Sequence, residues 1–317
     1  MNKQASVKNF LSRNIIYIAF IIMLIGLAVG TDSFLKGTNL INVLRQATVV
    51  GVLSMGMTYV IIAGGIDLSV GSTMALASCV AAAYATATTA IPLPFAILLG
   101  CVVGVIVGAI NGIVVSYLGV VPFIATLGMQ YAVRGVALVY TGGRPINALT
   151  EAYTNIGKGY LGPIPVPVVI FALIALIAWF VLSQTQFGRY IYAIGGNEQA
   201  ALVSGLRVKF LKFMTYVING VTAALAGIIL SARVAVGSPT AGESYDLLAI
   251  TAVVVGGTSN AGGTGGIVPS IIGVFIVTVL NNGMDLLGVS GYYQKIVTGV
   301  VVLLAVIIDR NNVNRNH

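Results

Sequence analysis

Asp67 stands in the stretch AGGIDLSVGS (63–72), between two long apolar runs, with Gly64, Gly65 and Gly71 around it. A carboxylate in such a place could take up an ion, pair with a second carboxylate for hydrolysis, or hold a broken helix end in shape. Asp67 and Asp285 are the two carboxylates expected deep in apolar surroundings, and neither lies in a pattern that argues for a protease dyad. The only histidine is His317, so a serine–histidine site is implausible and the H-E-x-x-H zinc pattern is absent. Cys79 and Cys101 both fall in apolar runs and read as small hydrophobes rather than a disulfide or metal pair. No catalytic residue, metal or cofactor is expected.

An acidic residue at the centre of a bilayer costs about 2.5–3.5 kcal/mol on insertion scales, so Asp67 should face protein or water. The glycines allow the helix to break where neighbouring protein can satisfy its backbone. On this reading Asp67 or Ser69 caps the helix that follows, beside a solute pathway. Two polar stripes add candidates for that pathway. Thr126, Gln130 and Arg134 recur every four residues on one helix face, and Thr278, Asn281, Asn282 and Asp285 form a second stripe. Interhelical hydrogen bonding is the competing use, worth only about 0.6 kcal/mol per contact. The charges of Arg134 and Asp285 favour a pathway.

The Gly-rich stretch GGTSNAGGTGG (256–266) invites a phosphate-loop reading, but it lacks G-x-x-x-x-G-K-[ST] and contains no lysine. Any ATP must be bound by another chain. Gly104, Gly108 and Gly112 make two overlapping G-x-x-x-G steps, which serve close helix packing.

The elements that position these residues follow from composition. The chain has 317 residues, 58% hydrophobic and 8% charged, with mean hydropathy +1.01. A soluble domain carries about 25% charged residues. This is an all-α polytopic membrane protein. Its net charge of +8 forms no continuous patch for nucleic acid. Lys3, Lys8, Arg13, Arg189, Arg207, Lys209, Lys212, Arg310 and Arg315 sit instead at segment ends. That distribution places both termini and the 184–212 loop in the cytoplasm.

A span needs about 17–25 apolar residues. Ten segments qualify as helices: 15–30, 39–63, 70–89, 92–117, 122–140, 166–183, 211–235, 245–257, 267–288 and 292–308. The first lacks an A-x-A site and reads as an uncleaved helix. Segment 245–257 is too short to cross alone and reads as half of a broken helix. Residues 141–165 are expected outside, as a re-entrant or surface segment. GGIDLSVGS and the 256–270 stretch each precede an apolar run, which hints at an inverted repeat of two five-helix halves. Residues 1–317 form a single transmembrane domain on this reading.

The loop at 184–212 contains GGNEQAALVSG (195–205), which reads as a short helix with Asn197 as N-cap and Gly205 as the stop. A helix of this kind suits docking in a partner's groove or lying on the membrane surface.

Several blocks in order carry a family resemblance: GMTYVIIAGGIDLSVGS (56–72), PFIATLGM (122–129), RGVALVYTGG (134–143), FGRYIYAIGGNEQAALVSGL (187–206), VVVGGTSNAGGTGG (253–266) and LLGVSGYYQKIV (286–297). The chain resembles the transmembrane permease subunits of bacterial ABC importers for simple sugars, most of all those for ribose. The resemblance implies alternating access driven by cytoplasmic ATP-binding cassette subunits, and delivery by an extracytoplasmic sugar-binding protein. It also implies a second permease subunit, as a homodimer or with a sister chain, in the lipid of the inner membrane. Residues 195–205 resemble the coupling helix of such permeases, with Gly196, Asn197, Glu198, Ala200, Ala201 and Gly205 at the matching positions and Gln199 inserted. AGGIDLSVGS then lies beside the translocation path. An ion-coupled secondary transporter or a channel for a small polar solute is the alternative reading.

Overall fold

The computed structural model describes residues 18, 20–89 and 91–315, apart from the side chains of 305, 306 and 308–315. Lys3, Lys8, Arg13 and His317 lie outside the described residues. Each of the ten apolar segments contains a helix. They are α1 (Phe20–Gly30), α2 (Gly37–Ile62), α3 (Val70–Ala83), α4 (Leu93–Ser116), α5 (Pro122–Thr141), α7 (Val166–Gln184), α10 (Val208–Val234), α11 (Tyr245–Val255), α12 (Ile267–Leu286) and α13 (Gly291–Arg315). Three further helices, α6 (Glu151–Lys158), α8 (Gln186–Gly196) and α9 (Glu198–Val203), sit in the two hydrophilic stretches.

By length and composition α2, α4, α5, α7, α10 and α12 can cross a membrane. Among the shorter apolar helices of the described residues are α3 and α11. The segment expected at 70–89 ends at Ala83, giving 14 residues, and α11 has 11. At about 1.5 Å per residue, neither spans a hydrocarbon core of about 30 Å. Both are partial helices, and α3 begins inside the protein, where Leu68, Ser69 and Val70 are buried.

The short helix expected in 195–205, with Asn197 as N-cap, is α9, while Gly195 and Gly196 close the preceding α8. Asn197 takes an extended conformation (φ −158°, ψ 100°) that ends α8 and begins α9. The 141–165 segment, expected to be re-entrant or at the surface, carries secondary structure of its own. It holds α6 and a two-residue hairpin, β1 (Tyr160–Leu161) with β2 (Ile164–Pro165), paired Tyr160 to Pro165. Tyr153 on α6 shares a 2.7 Å hydrogen bond with Ser231 on α10.

Of the six long helices α2 and α10 are the most buried, and everything else packs around them. Met55 and Met57 of α2, Met74 of α3 and Ala223 and Ala226 of α10 meet in the main core. The helix α4 packs on α10 while α12 packs on α2. In the same way α3 lies against α10 and α11 against α2, and α5 against α3 and α13 against α11.

The G-x-x-x-G steps of α4 are used inside the chain. A Cβ on Gly104 would run into the carbonyl oxygen of Gly220 and lie 2.8 Å from the Ala224 side chain. One on Gly112 would lie 2.8 Å from the ring of Phe213. Glycine brings the α4 and α10 backbones into direct contact, which no larger residue permits.

Candidate functional site

Residues 63–69 leave helical geometry between α2 and α3, and the surroundings account for the polar groups that this releases. Gly64 turns the chain at φ +77°. The Gly64 and Gly65 amides donate back to Ile61 and Val60 at 2.9 and 2.8 Å. Tyr216 on α10 donates its hydroxyl to the Ile66 carbonyl at 3.3 Å. The Leu68 amide donates to Thr126 Oγ1 on α5 at 3.1 Å, while that hydroxyl donates to the Pro122 carbonyl at 2.8 Å. A backbone break buried in an apolar bundle survives only when its groups are paired in this way.

Asp67 is the hub, and only 1% of its surface is exposed. Oδ1 accepts from the Ser69 amide at 2.9 Å and the Ser69 hydroxyl at 2.7 Å. Asn111 on α4 donates to Ser69 Oγ at 2.8 Å and, more distantly, to Asp67 Oδ1 at 3.4 Å. Asn219 on α10 donates to Oδ2 at 3.0 Å. The carboxylate lies at the N-terminus of α3, where the helix dipole favours negative charge. The simple cap expected of Asp67 or Ser69 is not what forms, since no side chain caps α3. Asp67 makes a tight turn to Ser69 and ties α3, α4 and α10 together.

Asn111 and Asn219 are functional candidates that the sequence reading missed. A signal existed: I-N-G occurs at 110–112 and again at 218–220, a lone amide in each of two apolar helices. Both asparagines bind the Asp67–Ser69 turn, and both are buried.

The remaining pathway candidates are not gathered into one lining. On α5, the Gln130 carbonyl accepts from Ser72 at 2.7 Å, which fastens the stripe to α3. Arg134 donates through Nη1 to the carbonyls of Pro239 and Ala241 at 2.5 and 2.8 Å, anchoring the loop between α10 and α11. The second stripe belongs to the other side of the core. Asn282 exchanges two hydrogen bonds with Asn39 of α2 at 2.9 and 3.0 Å, Asn281 is half-buried and Thr278 buried. Asp285 is not deep. It lies exposed in the last turn of α12 and accepts from Gln294 at 2.7 Å.

The 184–212 loop presents a second candidate. Asn197 Oδ1 accepts from the Ala200 amide at 2.9 Å, so Asn197 caps α9. Gly205 turns left-handed at φ +83°, and the Leu206 amide returns to the Ala201 carbonyl at 3.2 Å, closing the C-terminal end. Gly196, Asn197, Glu198 and Ala200 are exposed, as are Leu202 (56%) and Val203 (88%). Ala201 is the exception. At 4% exposure it packs on the permease's own core, so it seats α9 rather than facing a partner. Glu198 pairs with Lys212 at 2.8 Å, an exposed bridge worth about 0–1 kcal/mol. Asn197→Ala is expected to loosen α9 by about 1 kcal/mol. Faster amide exchange confined to residues 198–204 would record it, and unchanged exchange would refute the cap.

Apolar helices around buried partial helices, with a polar break inside and a capped helix exposed on one end, define a membrane transport protein. Comparison with known proteins makes the class specific. Residues 39–306 match a family model described as the branched-chain amino acid transport system / permease component. The chain is 47% identical over 296 residues to the ribose import permease protein RbsC of Bacillus subtilis (strain 168), covering 93% of this chain and 91% of that one. It is 45% identical over 300 residues to the ribose import permease protein RbsC of Escherichia coli (strain K12), covering 92% of each. It is 37% identical over 293 residues to the D-allose transport system permease protein AlsC of the same organism, covering 92% and 89%. No solved structure gives a significant match. The chain belongs to this family of permease subunits of bacterial ABC importers. It is a multi-pass inner-membrane protein and not an enzyme, with ATP hydrolysis on separate subunits.

Proposed function

We propose that this permease moves a monosaccharide, ribose first among the candidates, into the cytoplasm by alternating access. The observation that carries the reading is α9: a capped, exposed helix on the inner loop, in a chain 47% identical to a ribose import permease. Leu202 and Val203 offer an apolar face to a groove on an ATP-binding subunit, and Gly196, Asn197, Glu198, Ala200 and Gly205 frame it. An extracytoplasmic sugar-binding protein delivers the solute, and a second permease copy completes the pathway. The partly buried amides of Gln130 and Asn281 suit a neutral polyhydroxylated solute.

The whole of 1–317 is one permease domain with ten membrane-embedded helical segments, α3 and α11 being partial ones, both termini and the 184–212 loop in the cytoplasm, and surrounding lipid on the exposed apolar faces. The packing supports an inverted repeat of α1–α5 on α7 and α10–α13, because α4 on α10 mirrors α12 on α2, and α3 on α10 mirrors α11 on α2. The matching breaks are then 63–69 and 235–244, in place of the pairing with 256–270. Asp67 binds its neighbours rather than an ion. Acceptor bonds to three residues and near-complete burial disfavour an ion-coupled carrier.

Purification from native membranes, followed by mass spectrometry of co-eluting chains, tests the assembly. A stoichiometric ATP-binding protein is expected. A permease that eluted alone and transported in proteoliposomes without ATP would sink the reading. Labelled-ribose uptake with xylose and allose as competitors ranks the sugars. Gly205→Val is expected to cut uptake more than tenfold at normal membrane insertion, because valine resists the left-handed turn that ends α9.

A further inference from the structure

The Gly-rich stretch 256–266 lacks the phosphate-loop pattern, and its position in the fold gives it another use. Three segments meet there, backbone against backbone. The amide of Gly263 donates to the carbonyl of Ile62, the last residue of α2, at 2.9 Å. Gly195, in the last turn of α8, lies against the same carbonyl. A Cβ on Gly195 would run into Ile62 O and come within 2.5 Å of the Gly263 nitrogen. A Cβ on Gly263 would come within 2.8 Å of Gly196, and one on Gly262 within 3.2 Å of Gly64. Tyr192 of α8 donates to the Gly265 carbonyl at 2.8 Å, fastening the loop a second time.

The chain positions on either side give this contact its meaning. Gly195 is two residues before Asn197, the cap of α9. Ile62 is five residues before Asp67. Residues 256–266 join the partial helix α11 to α12. We infer that the Gly195–Ile62–Gly263 contact is a joint that transmits displacement of α9 to both interrupted regions, the 63–69 break and the α11–α12 loop. Close-packed backbone transmits motion well because it has no side chains to reorient and absorb the shift. Glycine is required on both faces, and the left-handed φ of Gly262 (+90°) and Gly263 (+73°) requires it again. Gly195, Gly262 and Gly263 are therefore positioning residues for transport.

The inference rests on α9 being the contact with the ATP-binding subunits, and the test separates the two. Hydrogen exchange is measured on the wild-type complex, nucleotide-free and trapped with ATP, in peptides covering 60–69, 195–205 and 256–266. Coordinated changes in all three support the joint. Protection of 195–205 on adding the ATP-binding subunits, with 60–69 and 256–266 unchanged between nucleotide states, overturns the joint alone. An unprotected 195–205 overturns both readings. In the same complex, Gly195→Ala is expected to lower uptake and binding-protein-stimulated ATPase more than tenfold, with ATP-binding subunits still co-purifying and basal ATPase within twofold. Gly299→Ala, whose added Cβ meets nothing within 4 Å, is expected to keep all four. Wild-type uptake by Gly195→Ala overturns the joint. If that variant fails to assemble, the wild-type exchange pattern decides.

Discussion

Gly108→Val is expected to leave little folded permease, with the solubilised protein melting far below wild type or aggregating on size exclusion. Gly108 faces α10 where the two backbones touch. A Cβ would run into the Tyr216 carbonyl and lie 2.9 Å from Val217 Cα and 3.0 Å from the Tyr216 carbonyl carbon. These are backbone atoms that cannot rotate aside, so the helices must part. Overpacking alone costs about 1–3 kcal/mol. Here the cost compounds, because Asn111 on α4 and Asn219 on α10 reach the Asp67–Ser69 turn from the two helices being separated. Gly135→Val supplies the contrast. Gly135 on α5 has nothing within 4 Å of an added Cβ, so near-normal melting is expected. A Gly108→Val permease with wild-type thermal stability would show that α4 and α10 do not meet as described.

Asp67→Ala is expected to abolish uptake and lower stability by about 3–9 kcal/mol, three stranded donors at about 1–3 each. The Ser69 amide, the Ser69 hydroxyl and the Asn219 side chain would keep their positions inside the bundle without this acceptor, while Asn111 retains Ser69 Oγ. Asp67→Asn keeps the shape and one acceptor, and should retain intermediate uptake and stability. The pair separates a structural hub from an ion carrier. A charge-carrying carboxylate would make Asp67→Asn as inactive as Asp67→Ala yet as stable as wild type. Uptake of labelled sugar in proteoliposomes, alongside thermal melting of each variant, reads both quantities. Full uptake and stability in Asp67→Ala would remove Asp67 from the account altogether.

Much of this architecture was legible in the chain itself. Apolar segments separated by Gly, Pro and charge reveal helices through their length and composition alone, and all ten appear. The ends of α9 were legible for the same reason, since Asn197 and Gly205 act on backbone within a few residues of themselves. Helix α6 was not legible. Eight residues are barely two turns, too short a run to set apart within a Gly- and Pro-rich stretch, and Tyr153 reveals its role only by meeting Ser231, 78 residues away.

The candidate site divides along the same line. Sequence by itself determined a membrane protein of apolar helices, a glycine-flanked acid that must be shielded, and a capped short helix in the 184–212 loop. Each is a local consequence of hydrophobicity, backbone freedom or the price of an unpaired charge. Only the tertiary structure decided which groups do the shielding: Thr126, Asn111 and Asn219 come from three different helices, while Asp285 lies outside at a helix end. Helical periodicity tells which residues share a face, but not what that face meets. That depends on close approaches such as Gly104 to Gly220 and Gly195 to Ile62, which bring together chain segments more than a hundred residues apart.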